Sequence, residues 1–539
     1  MRVWVGQTCV FICMLILGYV LGQDSDTRIV KDGRLEGLAH LLNHVNSRKI
    51  FQHWNGSRSD TSAFLKLLEP WILHDNAVPL RSRTPADDVR VDCANPAYSG
   101  TLSGSPLQGE RLIVDFVPFG YDIDKLLIRF HETAASVDVY VVYEMPYTLL
   151  GNAKSLFFDR IRHQPRFREF TSKVIYVNPD ETGMRGAVEA TQKAIERFYA
   201  RKNVNLAKID NGIQMGSRGQ KGESQYLEPA IYSVMHFFNK DLMLQFKRIG
   251  SFPAATEQEK RNEQLKESLT RHARNGGQVY AIQNDGDEFV NGQVLKHVRH
   301  CELLPEVKSI FAPCFAFKNN YHWLQTTFDM RHFMSGQHSA RGIVDVYKYL
   351  KLVTFGHFFG KGLQMELNQF IWRLGPFLWP LEKLTGAESM LRRNFTQDRF
   401  FNHHMGHGAA THMSAVNEPA ELWYKACGTV EMVGACERSV PAKLREAAAR
   451  GSVTPQLIYE SVVFPWCHRW NKGVHRNSLS RRAQRVVLDA TPWVVRNNPA
   501  AFPFMFPVRG LHTTGLYERV ADPKWVESCQ SAPVGIVDT

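Results

Sequence analysis

Apolar and polar positions along this chain fall into two alternating rhythms. From Arg111, the run Leu112, Ile113, Val114, Phe116, Val117, broken only by Asp115, reads as a β-strand. Helical spacing over 124–133 follows, then a second strand over 137–144, apolar enough to be buried on both faces, and a third over 173–177. The spacing predicts helices over 183–202 and 257–273, and a further strand over 278–283. Strands alternating with helices predict a parallel α/β sheet. Ahead of this region, residues 23–92 are polar and mixed, with helical patches at 35–45 and 63–72, and read as a stem or lead-in with some structure of its own. Residues 210–225 are Gly-rich and polar, which predicts a loop.

The N-terminus changes the picture. Residues 3–22 carry no charge, follow Met1 and Arg2, and precede a polar stretch, the pattern of a secretory segment. The run is long for a cleaved signal and near the ~20 residues that span a bilayer, which favours a single-pass type II anchor. Cleavage after Gly22, giving a secreted protein, is the alternative. Either way the remainder is expected in the lumen of the secretory pathway, the Golgi or another of its membranes. The sequons at Asn55 and Asn394 fit that side.

Composition adds exclusions. A mean hydropathy of −0.28 excludes a polytopic membrane protein. The formal charge of +12, from 65 basic and 53 acidic residues, is a modest excess that an acidic substrate or an anionic membrane surface explains as well as nucleic acid does. With a secretory segment and sequons present, no nucleic-acid partner is expected. Nine cysteines, two of them in the apolar run, form no C-x-x-C pair, so a few bridges and one buried thiol are expected.

The strongest chemical signal is Asp285, Gly286, Asp287, Glu288, directly after the strand ending at Gln283. Ligands in open α/β sheets gather beyond the carboxyl ends of the strands. Two carboxylates one residue apart on such a turn suit a hard divalent cation, which would neutralise the diphosphate of a nucleotide. An EF-hand loop is excluded, because Val290 stands where that loop needs Gly and Lys296 where it needs Glu. His403, His404 and His407, with His412 close by, lack the Glu of a zinc-protease motif and read by default as surface or core histidines. Gly360, Lys361, Gly362 is no phosphate loop, since neither Ser nor Thr follows the lysine.

Further pieces recur in a fixed order: Val114, Asp115, Phe116; then Asp122, Asp124, Leu126, Arg129, Glu132; then Val137, Asp138 and Glu144 with Thr148, Gly151 and Lys154. The Asp285–Glu288 turn, Thr411 to Ser414 around His412, the stretch from Trp423 to Lys425, and Pro492 to Asn497 complete the set. Over roughly 93–508 this ordered set resembles glycosyltransferase family seventeen, the β-1,4-mannosyl-glycoprotein 4-β-N-acetylglucosaminyltransferases. Departures from the family pattern are Phe289 and Val290 after the turn, Thr411 before the histidine, Tyr232 in place of an Arg, and a longer stretch from Trp323 to His412 that contains the aromatic-rich run 347–384.

The resemblance implies a GT-A-like, Rossmann-type nucleotide-sugar-binding sheet flanked by helices, in a domain spanning 93–508 with an inserted helical region at about 335–395 and a tail at 509–539. It implies a metal-dependent, inverting glycosyltransferase that moves GlcNAc from a UDP-sugar donor, UDP-GlcNAc, to a mannose of an N-glycan on a glycoprotein acceptor. A catalytically inactive, lectin-like or scaffold relative with the same fold is the alternative. On the family's pattern, Asp285, Asp287 and His412 would hold Mn²⁺ or Mg²⁺, and Glu144, Thr148, Lys154 and Asp285 would face the donor. Inversion needs a base to deprotonate the acceptor hydroxyl, and Glu288, Asp329 and Glu418 are the candidates.

Overall fold

The structure is a computed structural model. Outside its described residues lie 1–35, 55–57, 74–79, 84–89, 194–240, 326–370, 374–376, 382–408, 414–416, 429–441, 462–472, 476–479, 503–539 and a few single positions and pairs. The apolar N-terminal run, both sequons, the 210–225 loop, Tyr232, Asp329, His403, His404, His407 and the tail all fall outside. Among the described residues no helix is long and apolar enough to cross a membrane.

The strands around the site are β1 (Arg111–Phe119), β2 (Val139–Glu144), β3 (Val174–Val177), β4 (Gln278–Gln283) and β5 (Glu288–Val290). They are followed by β6 (Ile310–Phe311), β7 (Cys314–Lys318), β8 (Phe377–Pro380) and β9 (Ala410–His412). The helices are α1 (Val45–His53), α2 (Arg58–Ile72), α3 (Ile123–Thr133), α4 (Glu257–Arg274), α5 (Gly292–His300), α6 (Pro419–Gly428) and α7 (Trp493–Asn497).

Four parallel strands in the order β3-β2-β1-β4 form the spine of the molecule. Val114 at the centre lies opposite Val139 on one side and Ala281 on the other. Every residue of β2 is buried, as a parallel strand covered on both faces requires. Helix α3 returns the chain from β1 to β2 with ten of its eleven residues buried. Helix α4 opens with a capping box: Thr256 accepts from the Glu259 amide while the Glu259 carboxylate accepts from the Thr256 amide.

Of the 335–395 region only 371–373 and 377–381 are described, and 371–373 and 377–380 are strands. β8 adds antiparallel to β4 and carries β6 on its other side, and Ile371–Arg373 pairs with β7. Phe377, Leu378 and Trp379 are residues that favour pleated structure, and an open edge of the sheet was there to receive them. A second sheet is built from β7, β9 and β5, with Asn320–Gln325 and Gly473–His475 on its far side.

The lead-in, expected to have some structure of its own, packs against the sheet. Residues 36–43 are helical, and with α1 and α2 they send Leu38, Leu42, Phe51, Phe64, Leu65 and Leu68 into the same core as the sheet. Phe64 packs 5.8 Å from Trp423 of α6, and Trp54 packs 4.7 Å from Phe64. Cys93 is bonded to Cys301 at the end of α5, and Cys427 is disulfide-bonded as well.

Candidate active site

Two sequence features bring charged groups to the carboxyl end of the parallel sheet: the turn after β4 and the turn from β1 into α3. The first carries Asp285 and Asp287. The Glu288 amide donates to the Asp285 carbonyl at 3.1 Å and closes it. Gly286 is required because a Cβ there would stand 2.5 Å from the Pro118 carbonyl oxygen of β1. Arg129 of α3 grips Asp115 of β1 with two hydrogen bonds of 2.7 and 2.6 Å and reaches the Asp285 carbonyl at 3.5 Å. From the other side, the Met413 amide donates to the Asp287 carbonyl at 2.9 Å. The turn is therefore held by β1, α3 and the end of β9 together.

The Asp287 side chain meets two partners. Lys425 of α6 donates to Oδ2 at 2.9 Å, and Nε2 of His412, on β9, lies 3.6 Å from Oδ1. Burial pushes the Asp287 carboxyl upward, but Lys425, His412 and the nearby Lys125 hold it well below the usual carboxylate range. Lys125 is fully buried and donates to Asp122 at 2.9 Å. Burial lowers its pKa, an effect Asp122 opposes and Lys425 reinforces.

Beyond Asp122 the network turns acidic. Asn417 bridges Asp122 and Glu421 with hydrogen bonds of 2.8 and 2.7 Å. Burial, then the charges of Asp124, Asp122 and Glu418, raise the Glu421 carboxyl well above its ordinary value. Glu421 and Lys425 are four residues apart on α6, so one face of that helix serves both ends of the network.

The expected residues divide into two groups. Asp287 and His412 meet directly, Asp285 shares the turn of Asp287, and Glu288 is the cross-strand partner of His412. Glu418 lies beside Glu421 at the start of α6, and Asp329 falls outside the described residues. Glu144, Thr148 and Lys154 gather elsewhere, around the loop after β2. There Glu144 accepts from Lys154 at 2.7 Å, from the amides of Phe157 and Phe158 at 2.6 and 2.9 Å, and from the Tyr176 hydroxyl at 3.0 Å. Thr148 accepts from the Asn152 amide at 3.1 Å, and the Asn152 side chain donates to the Cys427 carbonyl of α6. These contacts brace the β2 loop against α6 and use the oxygens of Glu144 inside the protein.

Lys125, Asn417, Glu421 and the part played by Lys425 escaped the sequence reading. A signal existed: Asp122 and Lys125 stand three apart, Asn417 and Glu421 four apart, at spacings that let side chains meet on a helix. A lysine within the otherwise apolar Leu422–Gly428 stretch also asks for a buried partner.

Asp287 and His412 present two donors suited to a divalent cation, and among the described residues no three His, Cys, Asp or Glu side chains converge as a closed metal centre. Two protein donors fit a cation that completes its shell with diphosphate oxygens and water.

Comparison with curated proteins gave no match. Comparison with solved structures gave none either. The family model described as glycosyltransferase family 17 matches residues 100–216, the segment that holds β1, α3, β2 and β3. The resemblance read from the sequence is thereby shown over residues 100–216, which span the first three strands of the sheet and are similar to that family.

Proposed function

We propose that the chain transfers GlcNAc from UDP-GlcNAc to a mannose of an N-glycan, with inversion at the sugar carbon, in the lumen of the secretory pathway. The observation that carries this reading is Asp287, placed on the turn beyond β4 in a chain similar to this family and framed by Lys425, Lys125 and His412. A GT-A type of nucleotide-sugar binding agrees with a four-stranded parallel sheet whose charged turns lie at its carboxyl end. The oxidised Cys93–Cys301 pair agrees with the lumen.

Each residue then has work that follows from its chemistry. Asp287 and His412 would hold Mn²⁺ or Mg²⁺, which when bound supplies charge to the departing diphosphate. Lys425 and Lys125 set a positive field at the same point. Arg129 and Gly286 keep the turn in place. A carboxylate must take the proton of the acceptor hydroxyl, and Glu418, beside Glu421 at the start of α6, is the candidate for that work.

Incubating the protein with UDP-GlcNAc, Mn²⁺ and N-glycan acceptors tests the reading, with UDP release and glycan mass as readouts. Transfer that raises the glycan mass by one N-acetylhexosamine supports it. Neither transfer nor donor hydrolysis with any UDP-sugar would overturn it and leave the non-catalytic alternative.

A further inference from the structure

Lys425 sits where an incoming cation needs to be. Its ammonium is 2.9 Å from Asp287 Oδ2, on a buried helix, and Lys125 is close enough for its charge to act on both Asp287 and Lys425. The four charges of Lys125, Lys425, Asp122 and Asp287 cancel as a group. A divalent cation entering alone must push Lys425 off Oδ2 and then stand beside two ammonium groups with no anion added, which costs Coulomb energy in a poorly hydrated site. A cation entering with a diphosphate meets a different balance. It takes Asp287 and His412, and the displaced ammonium finds a phosphate oxygen, the kind of charge-assisted partner lysine binds well.

We propose that Lys425 is a latch that couples the two ligands: it closes on Asp287 in the resting protein and passes to the donor's diphosphate when cation and nucleotide arrive together. Lys125, tied to Asp122, stays in place and supplies the repulsion that discourages the cation alone. The helix α6 stem allows the exchange, because Lys425 carries its charge on a flexible four-carbon chain that can swing between neighbouring anions while its backbone stays packed. The inference rests on the reading of this site as one for a UDP-sugar and a cation.

The test is Mn²⁺ binding, followed by the electron paramagnetic resonance of free Mn²⁺, with and without UDP, on the full chain. Wild type, Lys425→Gln, Lys425→Met and Lys425→Arg are compared, and their melting temperatures recorded. In wild type, UDP is expected to tighten Mn²⁺ by about tenfold or more. Lys425→Gln and Lys425→Met should bind Mn²⁺ alone about tenfold more tightly than wild type while losing UDP affinity, so that the coupling shrinks. Lys425→Arg should keep the wild-type coupling, because its charge is retained.

Unchanged Mn²⁺ affinity in a folded Lys425→Gln or Lys425→Met variant would overturn the latch, and so would a wild type whose Mn²⁺ affinity ignores UDP. Because the wild-type measurement needs no substitution, a variant that does not fold still leaves the proposal exposed to refutation. A wild type that binds neither UDP nor Mn²⁺ overturns the donor reading itself, whereas binding without coupling removes only the latch.

Discussion

A carboxyl group that shares a dry pocket with other carboxylates resists giving up its proton, and Glu421 is such a group. Burial, Asp124, Asp122 and Glu418 all raise its pKa. The sign of the stability effect follows from proton linkage. In the ordinary carboxylate range and below, Glu421 is protonated in folded and unfolded chains alike and contributes nothing. As pH rises above that range the unfolded chain ionises first, and folding loses stability until pH passes the raised folded value. Replacing the carboxyl by an amide removes this loss. Glu421→Gln should therefore match wild type near pH 4 and melt higher at neutral pH, by about 2 °C or more. A thermal-shift series across that range decides it, and a variant that melts lower at neutral pH contradicts the assignment.

At the scale of elements, the site depends on how β1, α3 and the turn after β4 are joined. Arg129 is fully buried and so is Asp115, so truncating the arginine leaves an uncompensated charge in the core. Arg129→Ala should cost about 3–5 kcal/mol by denaturant unfolding, against far less for Asp115→Asn combined with Arg129→Met. Gly286→Ala makes a different prediction. Its new methyl would press on the Pro118 carbonyl, so the turn must move while the surrounding core stays packed. Activity should fall by about tenfold or more with only a small change in melting temperature. Equal activity would mean that the turn does not need its observed position.

Legibility in the sequence also divides at this scale. The parallel strands could be read because β1 and β2 are apolar on both faces and the helices between them keep their period. Asp285 and Asp287 could be read because they follow a strand end. Lys425 marks itself as a charge in an apolar stretch, but its partner Asp287 lies 138 residues away and leaves no mark beside it. Glu144 and Lys154 were expected to face the donor, and the bridge they close with each other within the protein was not read. The strands Ile371–Arg373 and Phe377–Pro380 were missed because an aromatic-rich run has no period that separates edge strand from helix.

For the whole molecule, the N-terminal helices and the sheet form a single core. Phe64 against Trp423 links α2 to the helix that carries Lys425, and the Glu69 carboxylate accepts from the Ser155 amide and hydroxyl at 3.0 and 2.6 Å. Removing these helices would expose Trp423 and loosen α6 behind the site. A chain truncated to begin at about residue 80 should therefore aggregate or lose its cooperative melting transition, whereas one beginning at about residue 30 should keep both fold and activity. Circular dichroism melting of the two chains checks this, and a stable shorter chain would return the segment to the status of a stem.

Donor binding at Asp287 is where the residue, element and molecular scales meet. Calorimetric titration of UDP-GlcNAc in the presence of Mn²⁺ into wild type and Asp287→Asn tests the central claim most directly. Saturable binding by wild type, lost or weakened by at least about tenfold in the variant, is the predicted result. Absence of binding to wild type, or equal binding to a folded Asp287→Asn, would contradict it.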